Sequence, residues 1–175
     1  MHSDAPVKRD SVEPWLRGTV NDLPALHRAV VHALQLAEED LQLWCGELSS
    51  AEMNARPAGL VSVAFHLRHI ARSVDRLLSY AEGKALSEQQ RVALASERAL
   101  DARPDQVFEE VRSGIARAMT RIKALADLDP EIHRAVGNKK LPTRLGGLLV
   151  HVADHTQRHV GQAITTAKLV KATRI

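Results

Sequence analysis

Apolar residues recur every three or four positions in four long stretches of this chain, the signature of amphipathic helices. In the first stretch Leu26, Val30, Leu34, Ala37, Leu41 and Trp44 share one face. Asp22 is placed to cap it, with Pro24 in its first turn, and it should end between Gly46 and Ser49. The second helix is expected to start at Gly59 or Leu60 and run to Ala81, with Gly83 as its stop. Val63, Leu67, Ile70, Val74, Leu77 and Ala81 form its seam. A short helix should follow Ser87, where Gln90 completes a capping box. The third long helix starts at Pro104 and carries Val107, Val111, Ile115, Met119 and Ile122 on one side. The pattern breaks over residues 127–142, where Val136-Gly137-Asn138-Lys139 reads as a turn in an extended excursion. The fourth helix is expected from about Thr143 to about Val170, with Leu145, Leu148, Val152, His159, Ala163 and Val170 facing inward.

Four long helices with little strand propensity make the chain all-α and a four-helix bundle its expected architecture. The connections between long helices 2 and 3, and between 3 and 4, are long for a simple hairpin bundle. A chain of 175 residues fits one domain. Its expected organisation is an N-terminal tail (residues 1–20) packing through Trp15 and Leu16, a bundle domain (21–170) and a C-terminal tail (171–175). Leu43, Leu78 and Leu149 lie outside the main seams and serve either to complete the core or to cover a partner helix in a homodimer.

Composition narrows the chemistry. Apolar residues are 45% and charged residues 26%, an ordinary globular balance. The net charge of +3 is mild, and much of the excess lies near the ends, at Lys8, Arg9, Lys168, Lys171 and Arg174. With no basic stripe and only two Trp, one Tyr and two Phe to stack on bases, no nucleic-acid partner is expected. Residues 1–14 are polar, unlike a secretory signal, and no apolar run is long enough to span a membrane, so a cytoplasmic location is expected and no membrane partner. The single cysteine, Cys45, rules out an internal disulfide and a Cys-based zinc site. It sits at a helix end with no activating histidine nearby in sequence, which argues against a nucleophile.

Nine histidines remain. His2, His27, His32 and His133 are isolated and read as surface or internally satisfied residues. Five others cluster: His66 and His69 on the second helix, His151, His155 and His159 on the fourth. A spacing of four leaves side chains about 40° apart on a helix, so His155 and His159 project together and can reach one metal. The alternative is a polar core patch, in which burying two imidazoles without partners is costly. His66 or His69 can supply a third ligand across the bundle, and by wheel angle His66 lies nearer the seam. Three neutral imidazoles would leave a coordination position for water or substrate, as in catalytic zinc sites. A carboxylate di-iron site is disfavoured, since no Glu has a His three residues later, and HExxH is absent. Arg72 and Arg76 are expected to pair with acids such as Asp75 on the bundle surface.

The segments Ser62-Val63-Ala64-Phe65-His66-Leu67-Arg68-His69-Ile70-Ala71 and His151-Val152-Ala153-Asp154-His155-Thr156-Gln157-Arg158-His159-Val160-Gly161-Gln162 together resemble the DinB/YfiT-like superfamily of metal-dependent proteins. In that family a hydroxyl residue stands about seven positions before a histidine that is followed by a small apolar pair, as Ser62 and His69-Ile70-Ala71 do here. A later HxxxH with a Gly-Gln step is matched by His155, His159, Gly161 and Gln162. The resemblance covers roughly residues 20–170. It implies a four-helix bundle holding one divalent metal, zinc or nickel, through His69, His155 and His159. His66, His151 and Gln162 are candidates to support these ligands or to face substrate. Relatives include thiol-dependent transferases, which use a low-molecular-weight thiol as cosubstrate, and hydrolases, so a small-molecule substrate is implied. A non-catalytic, stress-associated metal-binding module that dimerises is the alternative, and a bundle whose metal site has decayed a third.

Overall fold

The computed structural model describes residues 12–99 and 101–173. Its elements in order are α1 (Ala25–Cys45), α2 (Ser50–Asn54), α3 (Val63–Ala81), α4 (Glu88–Ala95), α5 (Pro104–Ala124), strands β1 (His133–Val136) and β2 (Leu141–Arg144), and α6 (Leu145–Ala172). Short 3-10 turns cover Pro14–Leu16 and Pro57–Gly59. No described helix is long and apolar enough to cross a membrane. His2, Lys8, Arg9 and Arg174 lie outside the described residues.

The helix boundaries follow local chemistry, with some corrections. Pro24, not Asp22, occupies the N-cap position of α1, and no side chain caps it. α2 is an element beyond those expected: Ser49 and Glu52 form a full capping box, and Met53 anchors it in the core. α3 starts at Val63 rather than Gly59 or Leu60. Ala58 and Gly59 have φ of 50° and 77°, a left-handed conformation that cannot continue into a helix. Ser62 then caps α3 by accepting a 3.2 Å bond from the Phe65 backbone N–H. α4 has the expected capping box, in which Ser87 and Gln90 bond each other's backbone N–H.

The excursion before α6 is a β-hairpin, in antiparallel register from His133 opposite Arg144 to Val136 opposite Leu141. With only four residues per strand and no alternating apolar pattern, it gave no strand signal. The hairpin sets the start of α6 two residues later than expected. The backbone N–H groups of Leu145 and Gly146 donate to the carbonyls of Ile132 and Pro130, replacing a side-chain cap. Gly146 allows the close approach there, because a Cβ would lie 3.1 Å from Pro130 Cβ, tighter than ordinary contact.

The four long helices form a ring in which α6 packs between α1 and α3, and α5 between α3 and α1. Their directions follow from paired contacts. Gln157 donates to the carbonyl of Ala33 and Lys171 to that of Trp44, so α1 and α6 are parallel. His66 meets His159 and His69 meets His155, so α3 and α6 are antiparallel. Gly114 sits against Ala71, and Arg121 further along reaches Glu82, so α3 and α5 are parallel. Parallel neighbours that follow each other in sequence force the chain back along the bundle, about 30 Å for helices of 19 and 21 residues. Residues 82–103, including α4, make that crossover, which accounts for the length of the expected second connection.

The core is aliphatic. Val30, Leu34, Ala37 and Leu41 of α1 face Leu67, Ile70 and Val74 of α3, Val111 and Ile115 of α5, and Leu149, Val152 and Ala163 of α6. Leu78 and Leu149 are fully buried and complete this core, while Leu43 is half-buried. The N-terminal segment does not pack through Trp15 and Leu16, which are 60% and 56% exposed; Pro14 and Leu23 are the buried residues there. His27 departs from the surface-or-satisfied expectation. It is buried, and neither ring nitrogen has a partner among the described residues. His32 is buried with Nε2 3.3 Å from Thr19 Oγ1, and His133 is exposed.

Candidate metal centre

The cap at Ser62 sets the phase of α3, and the antiparallel packing of α6 sets which histidines meet. His66 is buried and His69 half-buried on α3. On α6 the buried line runs through Val152, Thr156, Val160 and Ala163, with His155 and His159 half-buried on its flank rather than at its centre. That flank faces α3. His69 Nε2 lies 2.9 Å from His155 Nε2, and His66 Nδ1 lies 3.0 Å from His159 Nδ1. The ring centroids of His69, His155 and His159 are 4.3 to 5.0 Å apart. One ring nitrogen from each of the three lies within 4.8 Å of the others. Among the described residues this is the group with metal-ligand geometry, and it contains His69 rather than His66.

A residue that the sequence did not single out completes the arrangement. Glu97, from the crossover after α4, is buried with Oε2 2.7 Å from His69 Nδ1. Its Oε1 accepts a 2.7 Å bond from Arg76 Nη1. A neutral ring that gives its Nδ1–H to Glu97 presents a lone pair at Nε2, the nitrogen that lies against His155. Phe65, one turn before His69, stacks on its ring at 5.4 Å and 16° and meets His66 edge-on. The Arg98 guanidinium lies over the Phe65 ring, 5.6 Å from its centroid.

Burial shapes the electrostatics. Burial first, and then the neighbouring His69, lower the pKa of His66 and of His155 to about 4. His159 is lowered to about 3 by burial and by the charges of His69, His155 and His66. These imidazoles are therefore neutral at neutral pH, the form that ligates a metal. Burial alone would raise the Glu97 carboxyl, but its bonds from His69 and Arg76 outweigh that and hold it below the ordinary value. Three imidazoles, one of them backed by a carboxylate, suit a borderline divalent ion, and no fourth protein ligand joins them among the described residues.

The remaining predicted residues are less engaged. His151 is exposed, its ring 5.3 Å from that of His155 and its Nδ1 3.9 Å from Asp154 Oδ2. Gln162 is exposed on α6 and makes no hydrogen bond to the histidines. Arg72 and Arg76 do not pair with Asp75: Arg72 bonds Glu110 and the carbonyl of Ala93, while Asp75 is held by Arg121 and Gln90. Arg76 is buried rather than on the surface, because the crossover covers it. Cys45 is fully buried, and burial pushes its thiol up to about 12, so it is no nucleophile.

The sequence profile of the DinB superfamily matches residues 33–163 of the chain. Among solved structures, YfiT from Bacillus subtilis, described as a probable metal-dependent hydrolase with an unusual four-helix bundle topology, is similar in fold with a TM-score of 0.61. The match covers 92% of this chain and 91% of YfiT at 13% identity. No curated protein matches the sequence.

Proposed function

The chain belongs to the DinB superfamily, and on that footing we propose that it is a metal-dependent enzyme acting on a small molecule, either by transfer to a low-molecular-weight thiol or by hydrolysis. In this reading His69, His155 and His159 hold one divalent ion, zinc or nickel. The observation that carries it is the meeting of three imidazoles, from two antiparallel helices, with one ring nitrogen of each within 4.8 Å of the others. Bound there, the ion would supply a Lewis acid with a coordination position left for water or a substrate sulfur or oxygen.

The protein's own residues divide the remaining work. His66 pairs with His159 through their Nδ1 atoms, 3.0 Å apart, and so holds the His159 ring in place. Phe65 walls one side of the histidine group and keeps water from the face of His69. Arg98, exposed above Phe65, presents a cation at the rim.

Elemental analysis of protein purified without a histidine tag tests the metal. About one divalent ion per chain is expected, and near-zero content after anaerobic reconstitution would sink the reading. Assays pairing low-molecular-weight thiols with electrophiles, run beside ester and amide substrates, then decide between transfer and hydrolysis. Loaded protein that turns over neither class would leave a metal-binding module without catalysis.

A further inference from the structure

Glu97 and Arg76 form a buried ion pair in a small domain whose core is mainly aliphatic. Such a pair is seldom a source of stability, because desolvating two charges costs about what their attraction returns. Here the carboxylate has a second partner: Oε1 takes the Arg76 guanidinium and Oε2 faces His69 Nδ1. We propose that Glu97 is a positioning residue for the metal centre, held by Arg76, and that the crossover is thereby part of the site although it supplies no ligand. The inference rests on the metal reading given above and adds to it a residue outside both histidine motifs.

Two independent features support it. The first is the anchoring of the backbone around Glu97. Arg68, Arg72 and Arg76 stand at four-residue intervals along α3, so their side chains leave the same face. Arg68 Nη1 donates to the carbonyl of Ala99 at 3.0 Å. Arg72 Nη1 donates to the carbonyl of Ala93 at 2.8 Å and to Ser96 Oγ at 2.9 Å. The chain is thus gripped on both sides of Glu97, and α3, which carries His69, also fixes the carboxylate that backs it. The second is the contrast with the other histidines. The Nδ1 of His159 is bonded to a neutral imidazole, and that of His155 has no protein partner among the described residues. Glu97 is the carboxylate bonded directly to a member of the group. A carboxylate there fixes the ring's tautomer and orientation and raises the basicity of Nε2 toward a cation.

Zinc affinity, measured by competition with a chromophoric chelator, tests the role. Glu97→Ala is expected to weaken zinc binding about 10- to 100-fold. Glu97→Gln, which keeps an oxygen that can accept from His69 but loses the charge, should fall between. Glu97→Ala leaves Arg76 buried without its partner, so the double variant Glu97→Ala/Arg76→Met, which removes both charges, is measured beside it. Wild-type affinity in the folded double variant would overturn the proposal. Long-range proton–nitrogen NMR of the zinc-loaded wild type gives a readout that a merely structural role would not move. His69 should carry its proton on Nδ1 and meet zinc through Nε2, and a His69 ligating through Nδ1 would also overturn the proposal. Wild-type protein that takes up no zinc removes the metal reading and this inference together. Zinc bound equally by the wild type and both Ala variants removes this inference alone.

Discussion

Three imidazoles share the centre but not their support. His69 is backed by Glu97, His159 by His66, and His155 by no protein group on Nδ1 among the described residues. Replacing a ligand should therefore differ from replacing a support. His69→Ala, His155→Ala and His159→Ala are each expected to abolish stoichiometric metal uptake, whereas His66→Ala should retain one ion with weaker affinity. Metal loss from His66→Ala with retention in His69→Ala would make His66 the ligand. The depressed pKa values also predict a pH dependence for metal-free protein. His66, His155 and His159 protonate near pH 4, 4 and 3 when folded, against 6.5 ordinarily. Between those values the unfolded chain binds more protons, so stability is full above about pH 6.5 and falls as pH drops toward 4. Denaturant titrations across that range should show a falling midpoint with little change in slope.

At the scale of elements, capping and packing decide where the helices begin. Ser62 satisfies the Phe65 N–H and starts α3 one turn before His66, so its cap also sets the angular position of both α3 histidines. Ser62→Ala should cost about 1 kcal/mol in denaturant unfolding. The capping boxes at Ser49-Glu52 and Ser87-Gln90 are equally local and can be recognised in sequence, yet only the second was. The first stands just past the expected end of the preceding helix and starts only a five-residue helix, too short to show a period. The hairpin before α6 could not be seen in the same way, because its short strands are stabilised from outside. Arg134 Nε reaches the carbonyl of Ala81, and the α6 N-terminus is bonded to Ile132 and Pro130. The apolar seams were legible because burial selects one face of a helix, and Val30, Leu34, Ala37 and Leu41 are indeed buried.

For the molecule as a whole, the histidine group lies between α3 and α6, with the crossover behind it. An ion held there ties two helices together and favours the folded state by mass action. At a free zinc concentration 100 times its dissociation constant, the gain is about 2.7 kcal/mol. Zinc should raise the melting temperature of the wild type and leave that of His155→Ala unchanged, as read by circular dichroism in chelated and zinc-loaded samples. An equal rise in both would place the ion elsewhere.

Periodicity, caps and turn residues act over a few positions, so the sequence alone determined a mainly helical chain, its four long helices, their buried faces and two histidine pairs of ligating potential. The HxxxH spacing of His155 and His159 needs no partner helix to be read. Which α3 histidine joins them at ligand spacing depended on the crossing and register of α3 against α6, a long-range packing outcome that brings His69 into that group. Glu97 lay beyond reach for the same reason. It stands 28 residues from His69 on a connection without periodicity, and only the crossover forced by parallel α3 and α5 brings its carboxylate to that ring. Tertiary structure likewise turned Arg76 inward, since its partner exists only once the crossover has closed over α3.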